Sequence, residues 1–247
     1  MIRRYPWAGV AATALCSLSA QAVAQDSRSA GVEVASEEER RGLSWSEGRA
    51  VLAADAALSL GRIDASARLV TTRDSDRHAG ADAVVDLNIG TGWDIGAIRL
   101  SAGATGHLFA GARQGMDYVE ARAAAGYGYG PLYATIGVVA APSQRAIGGS
   151  NVYTYASANA GIPGTPFTVL TELGHSSGSI DDAIRAQRLR PGGSYTNWRL
   201  GVEHRRGPLT LGVDYIGTDI ARDAAIGPFA DARHATDRLV GRARFIF

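Results

Sequence analysis

From about residue 31 to residue 247 the chain consists of twelve short segments in which apolar and polar residues alternate, and the links between them alternate as well, short then long. The segments lie near 31–38, 49–60, 62–71, 80–89, 94–106, 117–128, 131–141, 150–160, 166–174, 194–205, 208–217 and 237–247. A period of two places successive side chains on opposite faces of a strand. Ile63-Asp64-Ala65-Ser66-Ala67-Arg68-Leu69 therefore sends Ile, Ala and Leu one way and Asp, Ser and Arg the other, and residues 83–89 and 209–215 repeat the pattern. The short links are Gly61-Arg62, Gly90-Thr91-Gly92-Trp93, Gly130-Pro131, the stretch 161–166 and Arg206-Gly207-Pro208; the long ones are 39–48, 72–79, 107–116, 142–149, 175–193 and 218–236. A soluble β-sandwich alternates along its strands but has no reason to alternate its links. A transmembrane barrel with both ends in the periplasm does, with tight turns inside and longer loops outside. The predicted fold is all-β: a transmembrane up-and-down antiparallel barrel of about twelve strands.

The two ends of the chain agree with this. Residues 1–24 carry Arg3 and Arg4, then an apolar run from Trp7 through Ala20, then Ala22-Val23-Ala24, the pattern of a cleavable signal peptide. The run is too short to span a bilayer as a helix. Cys16 lies inside it after Leu15, which disfavours lipid attachment, and its removal leaves residues 25–247 as one barrel domain without cysteine. At the other end, Leu239, Gly241, Ala243, Phe245 and Phe247 share one face while Arg238, Val240, Arg242, Arg244 and Ile246 share the other. A last strand ending in aromatics resembles the signal by which bacterial outer-membrane barrels are recognised for assembly, so Phe245 and Phe247 are expected to act in membrane insertion. The plainer alternative is a half-buried strand that happens to end the protein.

Composition narrows the function classes. No stretch of residues 25–247 has the roughly 20 apolar residues that a membrane helix needs. The formal charge of +1 falls to about −1 without the signal arginines, which gives nucleic-acid binding no support. All 25 basic residues are arginine. Nucleotide bias explains this simply, and a crowded polar lumen in which a permanent charge forks onto carboxylates explains it too. Trp93, Tyr127, Tyr129, Phe167, Phe245 and Phe247 fall at one set of strand ends, and Trp198, Tyr215, Tyr118 and Tyr153 at the other, as two interfacial belts would.

With the apolar faces toward lipid, the inward set comprises Asp55, Asp64, Arg68, Asp82, Asp86, Arg99, Glu120, Arg122, Glu172, Arg199, Glu203, Asp214, Arg238, Arg242 and Arg244. These are the candidate pore-lining residues. Mixed charge inside such a barrel reads equally as a narrow selective pore or as a plug of ion pairs that closes it. Arg199, Arg238, Arg242 and Arg244 are expected to face Asp64, Asp82, Asp86 and Glu203. Glu37-Glu38-Glu39-Arg40-Arg41 reads as a solvated loop, and 175–193 as a loop that either faces solvent or folds inward as a constriction.

Three stretches resemble a known family. Arg41-Gly42-Leu43-Ser44-Trp45-Ser46-Glu47-Gly48-Arg49-Ala50, Ser150-Asn151-Val152-Tyr153-Thr154-Tyr155 with Ile162-Pro163-Gly164-Thr165-Pro166-Phe167-Thr168, and Gly207-Pro208-Leu209-Thr210-Leu211-Gly212-Val213-Asp214-Tyr215 with Thr218-Asp219-Ile220 are similar to the motifs of the TorF family of porin-like outer-membrane proteins. The resemblance implies a porin-like role in the outer membrane of a Gram-negative bacterium.

The expected function is passive diffusion of small polar or ionic solutes through a narrow charged lumen. The alternatives are a closed structural or adhesive barrel and an outer-membrane phospholipase. The last rests on His175-Ser176-Ser177, which puts a histidine and Ser177 on one face but identifies no group to orient the base. No enzyme activity, cofactor or metal is expected. The expected partners are outer-membrane lipids, the barrel-assembly machinery reading the C-terminal strand, and small solutes, with a homo-oligomer left open.

Overall fold

The computed structural model describes residues 27–247, so the signal-peptide reading of residues 1–24 lies outside the described residues. Twelve antiparallel strands close on themselves: β1 (Ser27–Ala35), β2 (Val51–Leu60), β3 (Ile63–Ser75), β4 (Ala81–Ile95), β5 (Ile98–Ala110), β6 (Tyr118–Tyr129), β7 (Leu132–Gln144), β8 (Gly149–Gly161), β9 (Phe167–Ser177), β10 (Tyr195–Arg206), β11 (Leu209–Thr218) and β12 (Arg238–Ile246). Each strand pairs with its sequence neighbour, and closure comes from β12 pairing with β1, where Val32 lies opposite Phe245 and Glu33 opposite Arg244. Closure removes the unpaired sheet edge, a requirement for strands surrounded by lipid. Among the described residues no helix is long and apolar enough to cross a membrane.

The outward face is largely apolar: Leu69, Leu87, Ile89, Val119, Ile136, Leu173, Leu200, Val213 and Leu239 all expose their side chains. In a water-soluble protein this would be a large unfavourable surface, and in a bilayer it is the solvent-matched one. Four of the five short links are two-residue turns that begin with a left-handed glycine: Gly61 (φ 62°), Gly96 (φ 61°), Gly130 (φ 58°) and Gly207 (φ 58°). Only glycine adopts this φ without a steric penalty. The fourth to fifth strand link differs from expectation. Residues 90–93 continue β4, and the turn is Gly96-Ala97. The small Gly90 and Gly92 face the lumen and make room for arginine side chains rather than bending the chain.

The aromatic rings divide as expected at the turn end, where Trp93, Tyr127, Tyr129, Phe167, Phe245 and Phe247 are exposed. At the loop end Tyr215 faces outward, but Tyr118 and Tyr153 are buried inside and join no belt.

The first long loop does not stay outside. After Ala35 the chain turns into the barrel mouth and forms a small hairpin in which Glu39 pairs with Ser44 and Arg40 with Leu43. Glu37, Glu38, Leu43, Ser44, Trp45 and Ser46 are all buried there, so the expectation of a solvated loop at 37–41 is overturned. The loop after β9 also folds inward. It forms a single helical turn, Ala183–Ala186, capped by the Asp182 carboxylate, and its Arg188, Leu189 and Arg190 are buried. Most solvent-facing residues of this loop lie in its first part, 178–184, with Gly192 and Ser194 exposed near its end.

Candidate lumenal site

The lumen has two halves. On the loop side the inward positions Val51, Val70, Val84, Asp86, His107, Glu120 and Tyr153 are buried under the hairpin. On the turn side Asp64, Asn88, Thr105, Arg122, Ser157 and Glu203 remain half-buried and reachable by water.

The hairpin is gripped by charge. Arg40 donates through both terminal nitrogens to Asp86 (3.1 and 2.6 Å) and through Nε to Glu38 (2.9 Å), while its guanidinium lies 4.0 Å above the Trp45 ring. Arg41 forks onto Glu120 (2.9 and 2.6 Å). His107 sits between the same two acids, with Nδ1 2.7 Å from Asp86 and Nε2 3.3 Å from Glu120. Arg68 reaches up from the wall to Glu38 (2.7 and 3.0 Å) and Glu33 (3.1 Å). Arg238 donates to Glu37 and to the Gly42 carbonyl, and the Tyr195 hydroxyl donates to the Arg41 carbonyl. Burial by itself would raise the Glu38 carboxyl; Arg68 and Arg40 outweigh it and hold the group below the ordinary range. Bidentate, desolvated pairs of this kind are the strong class of protein ion pair, and each is costly to leave half-broken.

An aromatic layer completes the seal. Trp45 packs on His78 (4.4 Å between centroids) and Phe109 (5.7 Å), and His107 stacks on Tyr118 (4.4 Å). Above it Arg77 and Arg188, 1% and 0% exposed, bond mainly to carbonyls. Arg77 donates to the Ser44, Arg188 and Asp231 carbonyls, and Arg188 to those of Met116 and Ala146 and to His78 Nδ1. These two residues tie all six loops at this end to one another. Burial pushes the Arg188 guanidinium down to about 10. The space left among Arg40, Arg41, His107, Glu120 and Tyr195 is about 30 Å³, room for little more than a water.

The predicted inward residues are thus distributed as follows. Asp86, Glu120 and Arg238 belong to the seal, and Arg68 links seal and wall. Arg199 pairs with Asp214 (2.8 and 3.1 Å), Arg242 with Glu203 (2.6 Å) and Asp214, and Arg244 with Asp55 (2.8 Å). Glu172 accepts from the Tyr153 hydroxyl (2.7 Å). Arg99 meets Asp94 at the turn end (3.2 Å). Asp64 accepts from Ser59, and Arg122 donates to the neutral acceptors Asn88 and Thr105. Two expectations fail. Asp82 is exposed at the loop-end rim, where the β3–β4 register slips between Thr71 and Ser75, so it does not line the interior. Of the anticipated facing pairs, only Arg242–Glu203 forms, because hairpin and neighbouring-strand acids take the other arginines. Residues 37–41, 45, 188 and 190 were not among the candidates. The Glu-Glu-Glu-Arg-Arg run was their one visible signal, and a run of charges ordinarily marks solvent. His175 faces outward with its Nδ1 3.2 Å from Thr196 Oγ1.

Known proteins place this geometry in context. The model of a family described as a bacterial protein of unknown function, Gcw_chp, matches residues 19–240. No curated protein matches the chain. Among solved structures, KdgM porin superposes with a TM-score of 0.58 at 5% identity, covering 89% of this chain and 99% of that one. An outer membrane channel from Pseudomonas putida F1 superposes with a TM-score of 0.53 at 12% identity, covering 89% and 94%. At these identities the likeness is one of fold: a closed barrel of the outer-membrane type.

Proposed function

From the premise that the chain belongs to the Gcw_chp family of bacterial proteins, we propose that it is an outer-membrane channel for small polar or ionic solutes, held shut at its outer end by the hairpin. One observation carries this: the wall is charged and reachable by water in its turn-end half, and the obstruction in the other half is a loop rather than the wall itself. A loop docked through side chains can leave, whereas a barrel packed solid by its own wall cannot open. The resemblance to TorF-family porins and the barrel fold shared with channels support the same reading. It includes export by residues 1–24, an outer-membrane location with the turn end in the periplasm, and barrel assembly through the C-terminal strand. The reading assigns no catalytic role to His175, whose Nδ1 lies within hydrogen-bond distance of Thr196 Oγ1.

The neutralised ion-pair network favours a second reading, a permanently closed structural or adhesive barrel. Planar-bilayer recording separates the two. The refolded wild type should be quiet with rare openings, and a variant with residues 37–47 replaced by a Gly-Ser linker should give discrete, frequent conductance steps. A fully folded linker variant that stays silent would overturn the channel in favour of the closed barrel.

A further inference from the structure

Arg122 differs from every other predicted lumenal arginine. Arg68, Arg99, Arg199, Arg238, Arg242 and Arg244 all meet a carboxylate. Among the described residues none lies within 4.0 Å of the Arg122 guanidinium. Its Nη1 donates to Asn88 Oδ1 (3.0 Å) and Thr105 Oγ1 (2.8 Å), two neutral acceptors. A guanidinium carries five N–H donors, and these bonds engage only one of its nitrogens. Nη2 lies over Gly90 and Gly103, where an added Cβ would stand 3.2 and 3.1 Å from it, so the glycines keep its berth open. The residue occupies the next inward position after Glu120, which Arg41 grips. Its guanidinium is therefore held directly beneath the seal, at the closed end of the water-reachable half.

We propose that Arg122 is a binding site for the carboxylate of a small solute entering from the turn end. A positioned fork with spare donors matches a carboxylate geometrically. The one carboxylate near enough to act on its charge is Asp64, which makes no ion pair with it, so the site suits a monoanion better than a phosphate dianion. The proposal deepens the channel reading by naming its solute class, and rests on that reading for the solute's passage but not for its binding.

The test uses the full mature chain folded in detergent, with acetate as probe and methylammonium as the cationic control, read by saturation transfer to the methyl protons. Wild type should transfer to acetate, and R122Q should weaken apparent acetate affinity about fivefold or more, in line with a hydrogen bond to a charged group. Methylammonium should be unaffected. Asn88→Asp should have the same effect as R122Q, because it places a carboxylate at the existing Nη1 contact and neutralises the site while adding an ion pair that favours folding. Acetate transfer that survives unchanged in both folded variants, or is missing from wild type, would overturn the site. Because binding needs no current, a barrel that takes acetate yet never conducts would remove the channel and keep the site.

Discussion

His78 shows how much the seal depends on single protonation states. Its ring is wholly buried between Trp45 and Phe109, and its Nδ1 accepts from Arg188 Nε (3.2 Å). Burial first, then the charges of Arg188 and Arg77, push its pKa well below 6.5, so it folds neutral. Below pH 6.5 the unfolded loop binds a proton that the folded one refuses. Stability contributed by this residue is therefore lost as pH falls, by about 1.4 kcal/mol per pH unit until the folded-state pKa is reached. Protection factors at residues 76–80 and 186–190, taken relative to the intrinsic exchange rate at each pH, should fall between pH 7 and 5.5, and His78→Gln should flatten that dependence. At Arg40 the argument concerns pairing rather than titration. Arg40→Ala leaves Asp86 and Glu38 each with one partner fewer in a dry site, an expected loss of about 3–5 kcal/mol, measurable as a lower urea midpoint in lipid vesicles. The parity of these wall residues was legible from period two alone. Their partners were not, because Asp86 and Glu120 are satisfied by a loop 46 and 79 residues away in sequence.

At the scale of elements, the barrel strands and the hairpin obey different rules. A strand is recruited by its apolar face and its turns, both local, which is why the twelve segments were readable. The hairpin is recruited by what it meets inside the barrel. Trp45 is its main apolar anchor, and Trp45→Ala should cost about 3–5 kcal/mol of docking. Limited trypsin digestion reads this directly: cleavage after Arg40 or Arg41 should appear in the variant and be absent in wild type. Within the strands, Gly103 has ordinary extended backbone but no room for a side chain, since a Cβ would lie 2.5 Å from the Ile89 carbonyl and 3.1 Å from Arg122 Nη2. Gly103→Ala should force β4 and β5 apart and lower the unfolding midpoint, whereas Gly106→Ala, with nothing within 4 Å, should not. The misread link at 90–93 follows from the same feature: glycine that spaces strands for arginines looks, in sequence, like glycine that turns them.

For the whole molecule, closure is the decisive event. Among the described residues β12 pairs with β1, so no strand set is edge-free until residues 238–246 are in place. Phe245 and Phe247 meet edge to face at its exposed end (5.2 Å between centroids), the same end as the other turn-end aromatics. If this strand is the assembly signal, deleting Phe247 and changing Phe245 to Ser should sharply reduce the heat-modifiable, outer-membrane fraction of the expressed protein. In vitro refolding into short-chain lipid should suffer far less. Equal loss in both settings would assign these rings to barrel stability alone.

Taken by itself, the amino-acid order determined the wall: the number of strands, their alternating faces, the end at which turns are short, and the aromatic rim there. Each of these is a contact between residues near in sequence or a contact with lipid, which a side-chain pattern encodes directly. The state of the lumen was decided only in three dimensions. Whether Glu37–Arg41 met water or Asp86, Glu120, Arg68 and Arg238 depended on closure bringing β3, β4, β6 and β12 around one loop. Its charged residues have the same composition in either place, but buried against opposite charges they close the lumen, and in solvent they would leave it open.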